Sequence, residues 1–132
     1  MNTNEGEVYF ALDADYFDLD EVTKYLGIQP TSTMKKGNPI PQSTSWVYSS
    51  GKIIQDYIDV YDMASNVITT LEPKTDLIIK AINKFNLKPR LEIVLWFTCN
   101  ENISTPVIGF DEKTIQFLGK VGAYVDIDTY KG

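Results

Sequence analysis

Asp126 and Asp128, one residue apart near the end of the chain, come closest to an acid–base pair. On a strand they project from one face with Tyr124 and Tyr130 beside them, and two carboxylates facing one site can divide the roles of proton donor and base. No companion motif accompanies them, so a solvated strand face is the preferred reading and no residue is assigned as catalytic. A second acidic group, Asp13, Asp15, Asp18, Asp20 and Glu21, invites a calcium reading. An EF-hand loop needs glycine at its sixth position and glutamate at its twelfth, and counting from Asp13 those positions hold Asp18 and Lys24. Asp18, Asp20 and Glu21 are better explained as residues opening a helix at its positive end. No metal and no cofactor is therefore expected. Lys35-Lys36-Gly37-Asn38 lacks the glycine spacing of a phosphate loop and reads as a solvated turn. Cys99 has no basic cluster near it in sequence to lower its pKa and reads as a packing residue.

The chain contains no histidine. Ser-His-Asp and Cys-His nucleophiles and histidine-ligated metals are thereby excluded, and so is the usual general base near neutral pH. Acidic residues outnumber basic ones 18 to 12, for a net charge of −6. Phosphate backbones and anionic membrane surfaces are bound mainly through Lys and Arg, so neither nucleic acid nor membrane is expected as a partner, whereas a basic protein would be attracted. One cysteine cannot form an internal disulfide, no apolar run approaches the roughly 18 residues of a membrane span, and the N-terminus lacks a signal-peptide pattern. These features point to a cytoplasmic protein. At 132 residues and 43% hydrophobic, residues 1–132 read as a single α+β domain able to bury its own core.

The organising element is the stretch 90–98. Leu91, Ile93, Leu95 and Phe97 fall on one face, with Arg90, Glu92, Val94, Trp96 and Thr98 on the other, the pattern of a central strand with a core behind it and a mixed front. Strands are also expected at 7–12, 44–50 and 123–130. A helix begins at Asp18, whose capping box with Glu21 opens it and Gly27 closes it. Tyr57, Tyr61, Ala64, Ile68 and Leu71 follow helical spacing. After the break at Glu72-Pro73, a second helix carries Leu77, Ile78, Ala81, Ile82 and Phe85, which makes an αα-hairpin. A last helix runs from Asp111, its N-cap, to about Val121, with Ile115, Leu118 and Val121 inward. The loop 29–44 is the longest and carries three prolines. Phe17-Asp18 to Leu26-Gly27 and Phe110-Asp111 to Leu118-Gly119 form a faint repeat. Two β-α-β halves follow from it, with the αα-hairpin inserted between them. The expected fold is a four-stranded, mainly antiparallel sheet of ferredoxin-like type.

Several segments taken together resemble a bacterial family known as domain of unknown function 4279: FDLDEVTKYLGIQPT at 17–31, Gly37, Trp46, Leu71-Glu72-Pro73-Lys74, and FLGKVGAYVDIDTY at 117–130. The resemblance spans nearly the whole chain and implies a small α+β domain in a bacterium. It implies no activity and carries over no catalytic residues.

The remaining candidate is the front of the sheet, where Tyr9, Arg90, Trp96, Tyr124, Asp126, Asp128 and Tyr130 gather, residue types enriched at binding hot spots. An RNA-reading sheet would need cationic surroundings that this composition lacks. The competing expectation is that the αα-hairpin covers this face and makes Trp96 and Val94 core residues, because large exposed apolar patches are rare; a face left open favours a homodimer. The leading functional expectation is a non-enzymatic, cytoplasmic protein-binding domain of the immunity-protein or antitoxin kind. A small-ligand sensor using the cleft between the sheet and the long loop comes second, and an enzyme working with Asp and Tyr last.

Overall fold

Val8, Phe10 and Leu12 are wholly buried while Glu7, Tyr9 and Asp13 are half-buried, the alternation of β1 (Asn4–Ala14), which is the middle strand; the stretch around residue 93 is interior as expected, flanked on both sides. The computed structural model describes residues 2–132. Its sheet has six strands: β1, β2 (Ser32–Met34), β3 (Thr44–Ser49), β4 (Ile53–Gln55), β5 (Lys88–Phe97) and β6 (Tyr124–Lys131). The order is β2-β3-β1-β5-β6, with β4 also pairing to β1. Strands β3 and β4 both run antiparallel to β1, opposite Tyr9–Ala14 and Asn4–Gly6 respectively. They act as one long strand interrupted at Gly51, whose φ of 87° suits glycine.

Four α-helices complete the fold: α1 (Leu19–Leu26), α2 (Val60–Leu71), α3 (Thr75–Phe85) and α4 (Glu112–Val121). The Asp18 side chain accepts from Glu21 N, and Gly27 ends α1 in the left-handed region at φ 68°. Asp111 caps α4 in the same way, accepting from Thr114 N at 2.8 Å. A 3-10 turn at Glu72–Lys74, with Pro73 in its first turn, joins α2 to α3.

All the helices pack on one side. A single core joins Val8, Phe10, Leu12, Trp46, Leu91, Ile93 and Leu95 of the sheet to Val22, Leu26, Val67, Ile68, Ile78, Phe117 and Val121 of the helices. Phe10 and Phe117 meet edge to face with centroids 5.6 Å apart. The αα-hairpin is part of this layer, so the expected cover over Trp96 and Val94 is not there: both are half-buried and lie outside the core.

The topology also departs from two equal β-α-β halves. Only β5-α4-β6 is a parallel crossover, with Arg90 opposite Tyr124 and Trp96 opposite Tyr130. After α1 the chain forms β2 and returns as β3, which is antiparallel to both β2 and β1. The long loop thus carries an edge strand and a reversal that put β3 between β2 and β1. A four-stranded ferredoxin-like sheet is replaced by six strands, mixed in direction.

Local corrections have plain causes. Asp59, not an earlier residue, caps α2 by accepting from Tyr61 N, so Tyr57 precedes the helix and is 60% exposed, with Tyr61 at 43%. Ile115 is 59% exposed and Phe117 takes its place inward. The last helix ends at Val121 as expected, closed by Gly122 at φ 71°, three residues beyond the Gly119 of the repeat. Cys99 is exposed rather than packed.

Candidate functional site

The face opposite the helices collects side chains from every long strand. Register places Tyr9 between Ser49 and Glu92, and Glu92, Val94 and Trp96 beside Asp126, Asp128 and Tyr130. Tyr9, Arg90, Trp96, Tyr124, Asp126, Asp128 and Tyr130 therefore share one face, as the alternation implies. Trp96 stacks on Tyr130 with centroids 4.5 Å apart and planes 20° from parallel. At the other end of the two strands, the Lys88 ammonium lies 5.1 Å from the Tyr124 centroid.

Arg90 ties the centre together. Its Nε donates to Asp13 Oδ2 at 2.9 Å, and its Nη1 donates to Glu92 Oε1 at 2.6 Å. Nη1 also reaches the Tyr9 hydroxyl at 3.3 Å, and the guanidinium sits 5.5 Å from the Tyr9 ring centroid. Burial alone would lower the Arg90 pKa, but Asp13, Tyr9 and Glu92 outweigh it and raise the pKa further. Burial likewise raises the Tyr9 hydroxyl, against the opposing pull of Arg90.

Glu92 is the residue that sequence reasoning left out of the site. It is 2% exposed. Its Oε1 is held by Arg90, while Oε2 is buried with no hydrogen-bond partner among the described residues. One carboxylate oxygen from each of Glu92, Asp126 and Asp128 lies within 4.8 Å of the others. Burial first, then Asp128 and Asp126, push the Glu92 pKa up to about 7 against the pull of Arg90. The signal was present in the alternation, which puts Glu92 between Arg90 and Val94 on the front; its burial comes from the neighbouring strands, which no single strand reveals.

A glutamate protonated more readily in the folded than in the unfolded chain binds extra protons in the native state. Its contribution to stability is therefore greatest below the ordinary glutamate value and is lost as pH rises through about 7. In divalent-free buffer, Glu92→Gln is expected to stabilise the protein by about 1–2 kcal/mol at pH 8 and hardly at all at pH 5. Urea unfolding at the two pH values checks this.

The cleft beside the long loop, about 560 Å³, is lined by Phe17, Asp18, Thr23, Gln29, Thr33 and Lys35 among others. It lies against the start of α1. Asp13 meets Arg90 and Asp15 meets Lys36 at 3.3 Å, while Asp18 is engaged as a cap, so these acidic residues are separately employed. Lys36 is drawn to that aspartate and to the Tyr16 ring. Among the described residues no helix is long and apolar enough to cross a membrane.

An α+β layer with helices on one side only, its free side built from β1, β5 and β6, is the class of domain defined here. The chain belongs to the family described as "Domain of unknown function (DUF4279)", whose profile matches residues 3–132. No curated protein and no solved structure matches it.

Proposed function

We propose that this chain is a non-enzymatic protein-binding domain that captures a basic partner on the open face of its sheet, in the bacterial cytoplasm and in the manner of an immunity protein or antitoxin. The observation that carries the reading is the make-up of that face. It combines Tyr9, Trp96, Tyr124 and Tyr130 with Glu7, Asp13, Glu92, Asp126 and Asp128, set against Arg90 at its centre. Aromatic and arginine anchors supply contact area, and an acidic surround selects a cationic partner and speeds its approach.

A second copy of the chain fits the free β6 edge poorly. Antiparallel self-pairing centred on Asp126, Ile127 or Asp128, the registers with the longest overlap, sets these aspartates opposite themselves or each other, and like charges directly opposed destabilise a sheet. The same aspartates guard the edge against unwanted pairing.

The reading is tested by comparative capture from host lysate. The wild-type chain and Ile115→Ala, altered on the helix side, should retain the same basic protein and release it as salt rises. Asp128→Asn combined with Tyr130→Ala should retain about tenfold less. Equal retention by the front-face variant would overturn the assignment of this face.

A further inference from the structure

Glu92 and Asp126 are direct neighbours across the parallel β5–β6 ladder, and Asp128 is the next residue on the same face. Three carboxylates this close repel one another unless something positive lies among them. Arg90 does not fill that place. It engages Glu92 through Oε1 only and is shared with Asp13, which it meets through both Nε and Nη2. What remains is Glu92 Oε2, on a side chain 3% exposed, without a partner among the described residues. A buried, unpaired carboxylate oxygen is costly, and its neighbours here are two further carboxylates, of which Asp128 can meet it only by sharing a proton.

We propose that Glu92, Asp126 and Asp128 form a binding site for a hard divalent cation of calcium size. Oxygen-only ligands select such ions over zinc or copper, which favour nitrogen and sulfur. Calcium accepts irregular oxygen sets, whereas magnesium demands near-ideal octahedral geometry and gives up its water reluctantly. A cluster of one fixed carboxylate and two strand-borne ones, with oxygens within 4.8 Å of one another, therefore suits calcium better. Asp126 and Asp128 lie on a strand exposed along its length, so water completes the coordination from the solvent side. Glu92 supplies the fixed ligand at the floor, oriented by Arg90, and the mobile ligands come from β6. The cation also joins the edge strand to β5 by side chains as well as by backbone. The site stands whether or not the face also binds a protein.

The test titrates the full chain with calcium chloride by calorimetry and thermal unfolding, with sodium chloride at matched ionic strength as control. One ion should bind per chain with a dissociation constant of about 0.1–1 mM. The unfolding midpoint should rise by about 5 °C at tenfold excess over that constant. Magnesium should bind at least about tenfold more weakly. Asp126→Asn and Asp128→Asn are exposed substitutions that leave the core intact, and each should weaken calcium binding by about tenfold. Terbium, used as a luminescent calcium substitute, should emit on excitation of the nearby Trp96–Tyr130 pair and be displaced by calcium. No saturable calcium binding up to about 10 mM, or equal binding by the wild type and the Asp126→Asn/Asp128→Asn double variant, would overturn the site.

Discussion

Replacing Trp46 with alanine is expected to lower the unfolding free energy by about 3–5 kcal/mol. Trp46 is wholly buried on β3, opposite Leu12 on one side and Thr33 on the other. Its indole Nε1 donates to Thr23 Oγ1 of α1 at 3.0 Å. The ring therefore joins three strands to a helix of 8 residues, too short to persist without tertiary contacts. Truncation opens a cavity beneath α1 and leaves the Thr23 hydroxyl without its donor. Trp46→Phe keeps most of the apolar contact and should cost about 1–2 kcal/mol. Urea unfolding followed by circular dichroism gives both values. A loss below about 1 kcal/mol for the alanine variant would place Trp46 outside the core.

The second large effect belongs to Arg90. Arg90→Met keeps a long side chain but removes the charge that Asp13 and Glu92 share, with side chains of Asp13 and Glu92 only 14% and 3% exposed. Leaving partly buried carboxylates without a cation should destabilise the protein by about 3 kcal/mol near neutral pH. The loss is pH-dependent because Glu92 titrates near 7. At pH 5 Glu92 is already largely protonated and only Asp13 is stranded, so the penalty shrinks. At pH 8 Glu92 must either stay charged without its cation or take up a proton from a dilute source, and the penalty is greatest. Arg90→Lys should recover part of the charge effect without the forked contact to Asp13. Chemical unfolding of the three proteins at pH 5 and pH 8 measures these differences, and an Arg90→Met penalty independent of pH would contradict the coupling to Glu92.

How much of this could be read from the residues varies with the range of the forces involved. Asp18, Gly27, Asp111 and the Glu72-Pro73 break are local signals, and α1, α4 and the α2–α3 junction appear where they place them. Alternation put Leu91, Ile93 and Leu95 on the core face and Arg90, Trp96 and the β6 aspartates on the other. Pairing was harder. The three residues of β2 are all exposed, so they carry no burial pattern, and the reversal that inserts β3 depends on the long loop. The side on which the αα-hairpin packs is equally invisible locally, since α2 and α3 have one apolar stripe each and either sheet face offered apolar partners. Ile115 illustrates the limit of spacing arguments: it shares a helix with Phe117 and Leu118, and only the tertiary fit decides which of them turns inward. In the candidate site, the aromatic and acidic members were legible from period-two spacing. Glu92's unpaired oxygen was not, because it arises from the meeting of two strands 34 positions apart in register.

The sheet face bearing Trp96 and Tyr130 should be free in the isolated chain and covered once a basic partner binds. Hydroxyl-radical footprinting of the protein alone and with the captured partner distinguishes the two states. Trp96, Tyr124 and Tyr130 should be oxidised in the free chain while Trp46, Phe10 and Phe117 are protected, and added partner should protect the first group and leave exposed helix-side residues such as Ile115 reactive. Protection of Trp96 and Tyr130 in the free chain, or protection by the partner confined to the helix side, would contradict that expectation.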